Sequence, residues 1–337
     1  MSAYKNCLLC PRSCGVDREA GQRGYCGETA ELRISFAGIH NGEEPPIKGA
    51  GGSGTIFISG CNLGCTFCQC FQISQKEMSR TVDTFEFAEL CLGLQEMGAE
   101  NINIVTGSHV APAIAQGFEE ARKQGLVIPA LWNSSGYDGA ETLEIIKDVV
   151  DVYLPDLKTL DRSIAVQFSN APDYPEHAAA AILKMMEFRG LRFGPSLGKS
   201  HAENVMLSGV MIRHLIIPGF LENTRQVLRW FAEHCNGSNG GGNGSGALLS
   251  LMTQYTPAQA PTAFSSGTKA GDMLTTNVPN RYVSSREYDA VLAMLDELGI
   301  TNGFCQELVS EANWLPDFAL QNPFPQGISV PLWHWKT

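Results

Sequence analysis

Cys61, Cys65 and Cys68 stand in the run FISGCNLGCTFCQ, just after the apolar, strand-like stretch Thr55–Ser59. Their C-x3-C-x2-C spacing puts three thiols on one short loop, whatever the rest of the chain does. A cubic four-iron cluster takes one ligand per iron, usually a Cys thiolate. Three close-set thiolates hold three corners and leave one iron open to a small molecule. A structural zinc site is instead closed by four protein ligands. Free Cys is also a common core residue. Three in eight residues, between Gly60 and Gly64 and beside Phe67, is nevertheless a rare arrangement for a core.

The chain of 337 residues has room for one large α/β domain and a small appendage. A formal net charge of −11 argues against sequence-independent binding of nucleic acid, which needs basic patches. No stretch has the apolar length of a membrane span. The opening MSAYKNCLLCPRSC lacks the apolar core of a secretory signal. The 11 cysteines are clustered and odd in number, which reads as metal binding rather than a disulfide framework. A reducing cytoplasm is the expected location.

A second cluster, CLLCPRSCGVDREAGQRGYC, contributes Cys7, Cys10, Cys14 and Cys26. The segment is poor in aliphatic residues, so bound metal would have to supply its folding energy. Four thiolates suit zinc or a second iron–sulfur cluster such as [4Fe–4S], and spacing does not choose between them. Unligated thiols are the remaining alternative.

From Thr55 onward strand and helix patterns alternate. Asp83 and Glu86 form a capping box ahead of Phe87, Leu90, Cys91 and Leu94, the apolar stripe of an amphipathic helix. Strands are expected at 101–106, 126–132, 151–157, 210–217, 247–254 and 302–309, with helices between them. Such alternation means parallel βαβ units, in a barrel or in a doubly wound sheet. Residues 40–54, HNGEEPPIKGAGGSG, read as an irregular lead-in loop because Pro45 and Pro46 disfavour helix. Residues 236–246, NGSNGGGNGSG, read as a low-complexity surface insertion, and 189–203 as a second one. The expected division is a Cys-rich knuckle and lead-in at 1–50, a main α/β domain at 51–260, and a C-terminal α/β extension packed on it at 261–337.

Chemistry in parallel α/β folds gathers at the carboxyl ends of strands. Those ends here carry Thr106, Gly107, Ser108 and His109, then Asn133 and Ser135, then Asp156 and Lys158, then Arg213 and His214. Two residues apart on one strand, Asp156 and Lys158 share a face and can grip a zwitterion. The bland alternatives are backbone capping, a structural ion pair (Arg213 with Asp156, for instance) and core histidines.

The run CNLGCTFCQ resembles the signature of the radical S-adenosylmethionine (SAM) superfamily. The runs CLLCPRSCGVDR, NINIVTGSHVAP, ALWNSSGYD, VYLPDLK, MIRHLIIPG, SLMTQYTPA and GFCQELVSEANWLPDF are similar to its branch related to pyruvate formate-lyase activating enzymes. The resemblance implies a partial (β/α)6 barrel with the knuckle appended. It implies a [4Fe–4S] cluster on Cys61, Cys65 and Cys68 whose open iron binds SAM. It implies SAM contacts at Thr106, Gly107 and Ser108, at Asn133 and Ser135, at Asp156 and Lys158, and at Arg213. It further implies an electron donor such as flavodoxin or ferredoxin, and an oxidoreductase that cleaves SAM reductively to a 5′-deoxyadenosyl radical.

The target of that radical would be a glycine of a partner glycyl-radical protein. The chain departs from the activating-enzyme pattern in Thr-Gly-Ser-His for Gly-Gly-Glu and in Cys70 for Asn; the Thr106–His109 segment and the extra Cys7–Cys26 knuckle point to a small molecule, peptide or RNA base as the alternative target. A non-enzymatic metal-binding protein is the third reading.

Overall fold

The computed structural model describes residues 3–200, 203–237, 246–257, 279–309 and 314–337. Strand β1 (Arg33–His40) comes first, followed by the short helix α1 (Pro45–Lys48) and β2 (Ser53–Ile58). The cluster loop leads to α2 (Phe71–Gln75), β3 (Arg80–Thr81) and α3 (Thr84–Glu96). Then come β4 (Ile102–Val105), α4 (Ala111–Lys123), β5 (Ala130–Ser134), α5 (Ala140–Ile146) and β6 (Val152–Pro155). Helices α6 (Arg162–Ser169) and α7 (Tyr174–Phe188) precede β7 (Arg192–Gly194) and β8 (Val205–Leu215). The chain ends with α8 (Leu221–His234), β9 (Leu248–Met252), α9 (Ser285–Glu297), β10 (Gly303–Cys305) and β11 (Ser329–His334).

Strands β2, β4, β5, β6, β8, β9 and β10 run parallel in that order. On the other side β1 pairs antiparallel with β2, and β11 pairs antiparallel with β1. Among the described residues β10 and β11 do not pair, so the sheet stays open. This is a mixed α/β fold around a parallel-rich sheet, in keeping with a partial barrel.

Local sequence explains the elements. Asp83 accepts from Phe85 N and Glu86 N at 2.8 and 2.9 Å, and Glu86 accepts from Asp83 N at 3.0 Å, so the capping box starts α3. Phe87, Cys91 and Leu94 on its inner face are fully buried. Ser284 and Glu287 start α9 in the same way.

The lead-in at 40–54 is more ordered than its composition suggests. Pro45 and Pro46 occupy the first turn of α1, where a missing N–H costs nothing. The strand expected at 126–132 begins only at Ala130, after Pro129, which cannot donate to a ladder. Of the expected insertions, 189–203 supplies β7, which pairs with the start of β8; residues 238–245 of the other lie outside the described residues.

Candidate functional site

The cluster loop leaves β2 through Ser59 and Gly60. Gly60 has φ +80°, and a Cβ there would lie 2.5 Å from Glu28 Cγ and 2.8 Å from the Cys26 carbonyl oxygen. Only glycine meets both demands. Three half-buried thiols follow, at Cys61, Cys65 and Cys68. Leu63 N–H points at Cys61 Sγ at 3.4 Å, Cys65 Sγ lies 3.5 Å from Ser169 Oγ, and Cys68 Sγ lies 3.5 Å from Ser74 Oγ. Burial raises the Cys65 thiol and pushes Cys68 up to about 12, with Cys61 and Cys65 adding to the shift at Cys68. A bound metal reverses that preference, because a coordinating thiol is deprotonated outright. No group of three or more Cys, His, Asp or Glu side chains among the described residues stands in the geometry of a single ion's ligands. A four-iron cluster spreads its thiolates over separate irons, and the donor set suits it: three thiols on one loop with an N–H directed at sulfur.

The loop is strapped from outside. Arg12 of the knuckle donates to the carbonyls of Asn62, Leu63, Asn170 and Ser169 at 2.9, 3.0, 2.8 and 3.2 Å. Asn62 Nδ2 donates to the Tyr137 carbonyl at 2.6 Å, and Thr66 N–H to the Phe168 carbonyl at 2.8 Å.

The strand ends meet this loop unevenly. Lys158 Nζ donates to Asp156, and both side chains act electrostatically on Cys65. Burial works against the Lys158 ammonium, but Asp156, Cys65 and Tyr174 together outweigh it and hold the lysine charged. Thr106 sits at φ +66°, a strained conformation for a β-branched residue, with its N–H bonded to the Asn133 carbonyl at 2.9 Å. Ser135 is partly accessible, and its Oγ accepts from Tyr137 N–H at 3.4 Å. Gly107 and Ser108 are buried, and Ser108 Oγ donates to Asp138 at 2.6 Å. Asp138 also accepts from Ser134 Oγ at 2.5 Å and Trp132 Nε1 at 3.2 Å. It therefore ties two strand ends together, a role that its sequence position at the end of ALWNSSGYD did not signal.

His109 and His214 are core histidines; both ring nitrogens of His214 are hydrogen-bonded, whereas His109 Nδ1 has no partner among the described residues. His109 Nε2 donates to the Ser59 carbonyl at 2.7 Å; His214 Nδ1 donates to the Leu157 carbonyl at 2.7 Å. Burial pushes them down to about 3 and about 4, so both are neutral.

Arg213 does not pair with the Asp156 carboxylate. Its guanidinium donates to Glu43 and, at 2.9 and 2.6 Å, to Glu44. Glu44 also accepts from Ser250 Oγ at 2.7 Å, and Glu43 from Asn103 Nδ2 at 3.0 Å. Burial opposes the Glu44 charge, but Arg213 together with the hydrogen bond from Ser250 outweighs it and holds the carboxyl below its ordinary range. The cluster loop and the strand ends enclose a cavity of about 560 Å³. Its lining includes Gln69 and Cys70 from the loop, Asn133 and Arg213 from the strands, and Glu43 and Glu44. Val105, Met252 and Cys305 place it at the carboxyl ends of β4, β9 and β10.

Residues 55–194 match the family model described as Radical SAM superfamily. The match covers less than half of the chain, and over that stretch the chain is similar to a radical SAM domain. A curated relative, an uncharacterized protein of Methanocaldococcus jannaschii, is 28% identical over 262 residues, covering 75% of this chain and 67% of that protein. Among solved structures, Streptococcus suis SuiB bound to S-adenosylmethionine is similar at 12% identity and TM-score 0.44, over 73% of this chain and 48% of that one. The chain thus spans about half of SuiB's length. Methylornithine synthase (PylB) is similar at 14% identity and TM-score 0.45, over 80% of this chain and 78% of that one. A domain of pyruvate-formate lyase-activating enzyme from Bacteroides vulgatus is similar at 13% identity and TM-score 0.34, over 58% and 91%. No helix among the described residues is long and apolar enough to cross a membrane.

Proposed function

We propose that the chain is a radical SAM enzyme in which Cys61, Cys65 and Cys68 hold a [4Fe–4S] cluster and the strand ends position SAM. When bound, the cluster supplies one electron to the SAM sulfonium, so that the C5′–S bond breaks to methionine and a 5′-deoxyadenosyl radical. The observation that carries the reading is the Cys triplet on a loop whose next residues, Gln69 and Cys70, line the cavity at the strand ends, with Asp156 and Lys158 close enough to act on Cys65. Lys158 offers a cation to a carboxylate and Asp156 an anion to an ammonium, the two ends of SAM's methionine moiety. Thr106, Gly107, Ser108, Asn133, Ser135 and Arg213 complete the proposed SAM contacts. Of these, Asn133 and Arg213 reach the cavity, while Ser108 contributes through Asp138 and the shape of its turn. The knuckle thiols hold a second metal, iron–sulfur or zinc.

The test is anaerobic reconstitution with iron and sulfide, then SAM and dithionite, with 5′-deoxyadenosine measured by chromatography. Absence of that product refutes the reading. The radical's target is a glycine Cα–H of a partner protein, and an EPR doublet on a glycyl-radical candidate reports it. A second reading, a small molecule or peptide as target, is favoured by the cavity, whose volume suits a compact ligand. A deletion strain with an unchanged metabolite and modification profile would count against that one.

A further inference from the structure

Among the described residues, Arg18 is a buried cation that forms no ion pair with a carboxylate. Its side chain is 1% exposed. Nε donates to the Thr29 carbonyl at 3.1 Å, Nη2 to the same carbonyl, and Nη1 to the His109 carbonyl and to Cys7 Sγ at 3.6 Å. Carbonyls satisfy its N–H groups but do not neutralise its charge. The charges acting on it come from Cys26, Cys7 and Tyr4. A buried charge lacking an opposite partner is strongly unfavourable. Cys7 Sγ lies on Arg18 Nη1 and would carry the missing negative charge as a thiolate.

We propose that Cys7, Cys10, Cys14 and Cys26 bind a thiophilic metal as an anionic tetrathiolate centre, that Arg18 is its buried counter-ion, and that this centre holds the Cys61–Cys68 loop in place. The proposal rests on the metal-binding reading of the knuckle and goes beyond it in the charge balance and the coupling. Four thiolates around Zn²⁺, or around a doubly charged four-iron core, carry the same net double negative charge. Binding therefore releases the four thiol protons and gives Arg18 its partner. The site also has room. A Cβ on Gly24 would lie 3.2 Å from Cys14 Sγ and 3.4 Å from Cys26 Sγ, so a larger residue there would crowd both sulfurs. Rotation about χ1 swings each Sγ between staggered wells and can gather the thiols on a common centre.

The coupling runs through the backbone. Cys61 N–H donates to the Cys26 carbonyl at 3.3 Å, so one knuckle ligand and the first cysteine of the triplet share a hydrogen bond. Arg12, between Cys10 and Cys14, carries the Asn62 and Leu63 carbonyls.

The test starts from the full-length chain with Cys61, Cys65 and Cys68 all replaced by Ala, purified anaerobically. Iron, sulfide and zinc are counted per chain. About one zinc, or about four irons with sulfide, is expected and identifies the centre; a metal-free chain overturns the proposal. In the same background, Arg18→Gln should lose metal to a chelator about tenfold faster or more, while Arg18→Lys stays near the parent. Equal rates for Arg18→Gln and the parent overturn the counter-ion role.

In the otherwise native chain, Arg12→Gln keeps every thiol. It should lower triplet-cluster occupancy, read as visible absorbance and iron content, while the knuckle metal stays. An unchanged occupancy overturns the coupling. Failure of the native chain to yield 5′-deoxyadenosine would instead sink the radical reading and leave these metal counts standing.

Discussion

Replacing Arg213 by Met leaves Glu43 and Glu44 in the interior without the guanidinium that neutralises them. The side chains are 8% and 11% exposed on the two sides of this contact. Breaking a buried ion pair on one side costs about 3–5 kcal/mol, because the remaining charge is desolvated and unpaired. With a urea m-value of about 3 kcal/mol/M, the unfolding midpoint at neutral pH should fall by roughly 1–1.7 M. The pH dependence should change sign as well. In the native chain the folded-state pKa of Glu44 is lowered. Its stabilisation is therefore fully present above the unfolded value of about 4.3 and is lost as pH falls through the lower folded value. Without Arg213, burial, the largest influence on the Glu44 carboxyl, raises it against the remaining Ser250 hydrogen bond. The variant should then gain stability as the pH drops from about 7.5 towards 5, where the native chain gains none. Urea titrations followed by circular dichroism at both pH values measure this. Adding Glu43→Gln and Glu44→Gln to the variant should return most of the midpoint. A single Arg213→Met variant with a native midpoint, or with the native pH trend, refutes the argument.

Cys65→Ala should abolish 5′-deoxyadenosine formation and strip the visible absorbance of the reconstituted cluster, checked by chromatography and spectrophotometry. Gly60→Ala should cost about 2 kcal/mol or more, because positive φ and the contacts with Glu28 and Cys26 act together; thermal or urea unfolding reads it. Asp138→Ala should cost about 2–4 kcal/mol by leaving the donors of Ser108, Ser134 and Trp132 unpaired, and Asp138→Asn distinctly less. The same unfolding assay ranks the two.

The parallel strands and the Cys triplet were legible because their signals are local. The triplet is contiguous in sequence, and each βα unit announces itself by a change of period. Strands β1 and β11 were not legible. The interior of β1 is buried throughout, so it lacks the alternation that marks a half-exposed strand. Its partner β11 arrives nearly three hundred residues later, with Phe36 opposite His334. The pair Glu43–Glu44 was hidden for the same reason. Two acidic residues before prolines look like a solvated loop, and only Arg213, 169 residues on from Glu44, makes them interior. The strand-end residues were legible as a set, but their orientations were not. Which hydroxyl faces the cavity and which is tied to Asp138 depends on packing that no single segment encodes.

The antiparallel cover that β1 and β11 lay over β2 has a practical side. A fragment cut to the 55–194 stretch would present β2 with a naked ladder of amides and carbonyls along one flank, and would uncover Phe57, which now packs edge-on against Phe318 and at a tilt against Phe324, at 5.3 and 5.4 Å between ring centres. Such rims invite strand addition from neighbouring molecules. Expression of that piece should give aggregates, whereas keeping residue 33 at one end and residue 334 at the other preserves the seal.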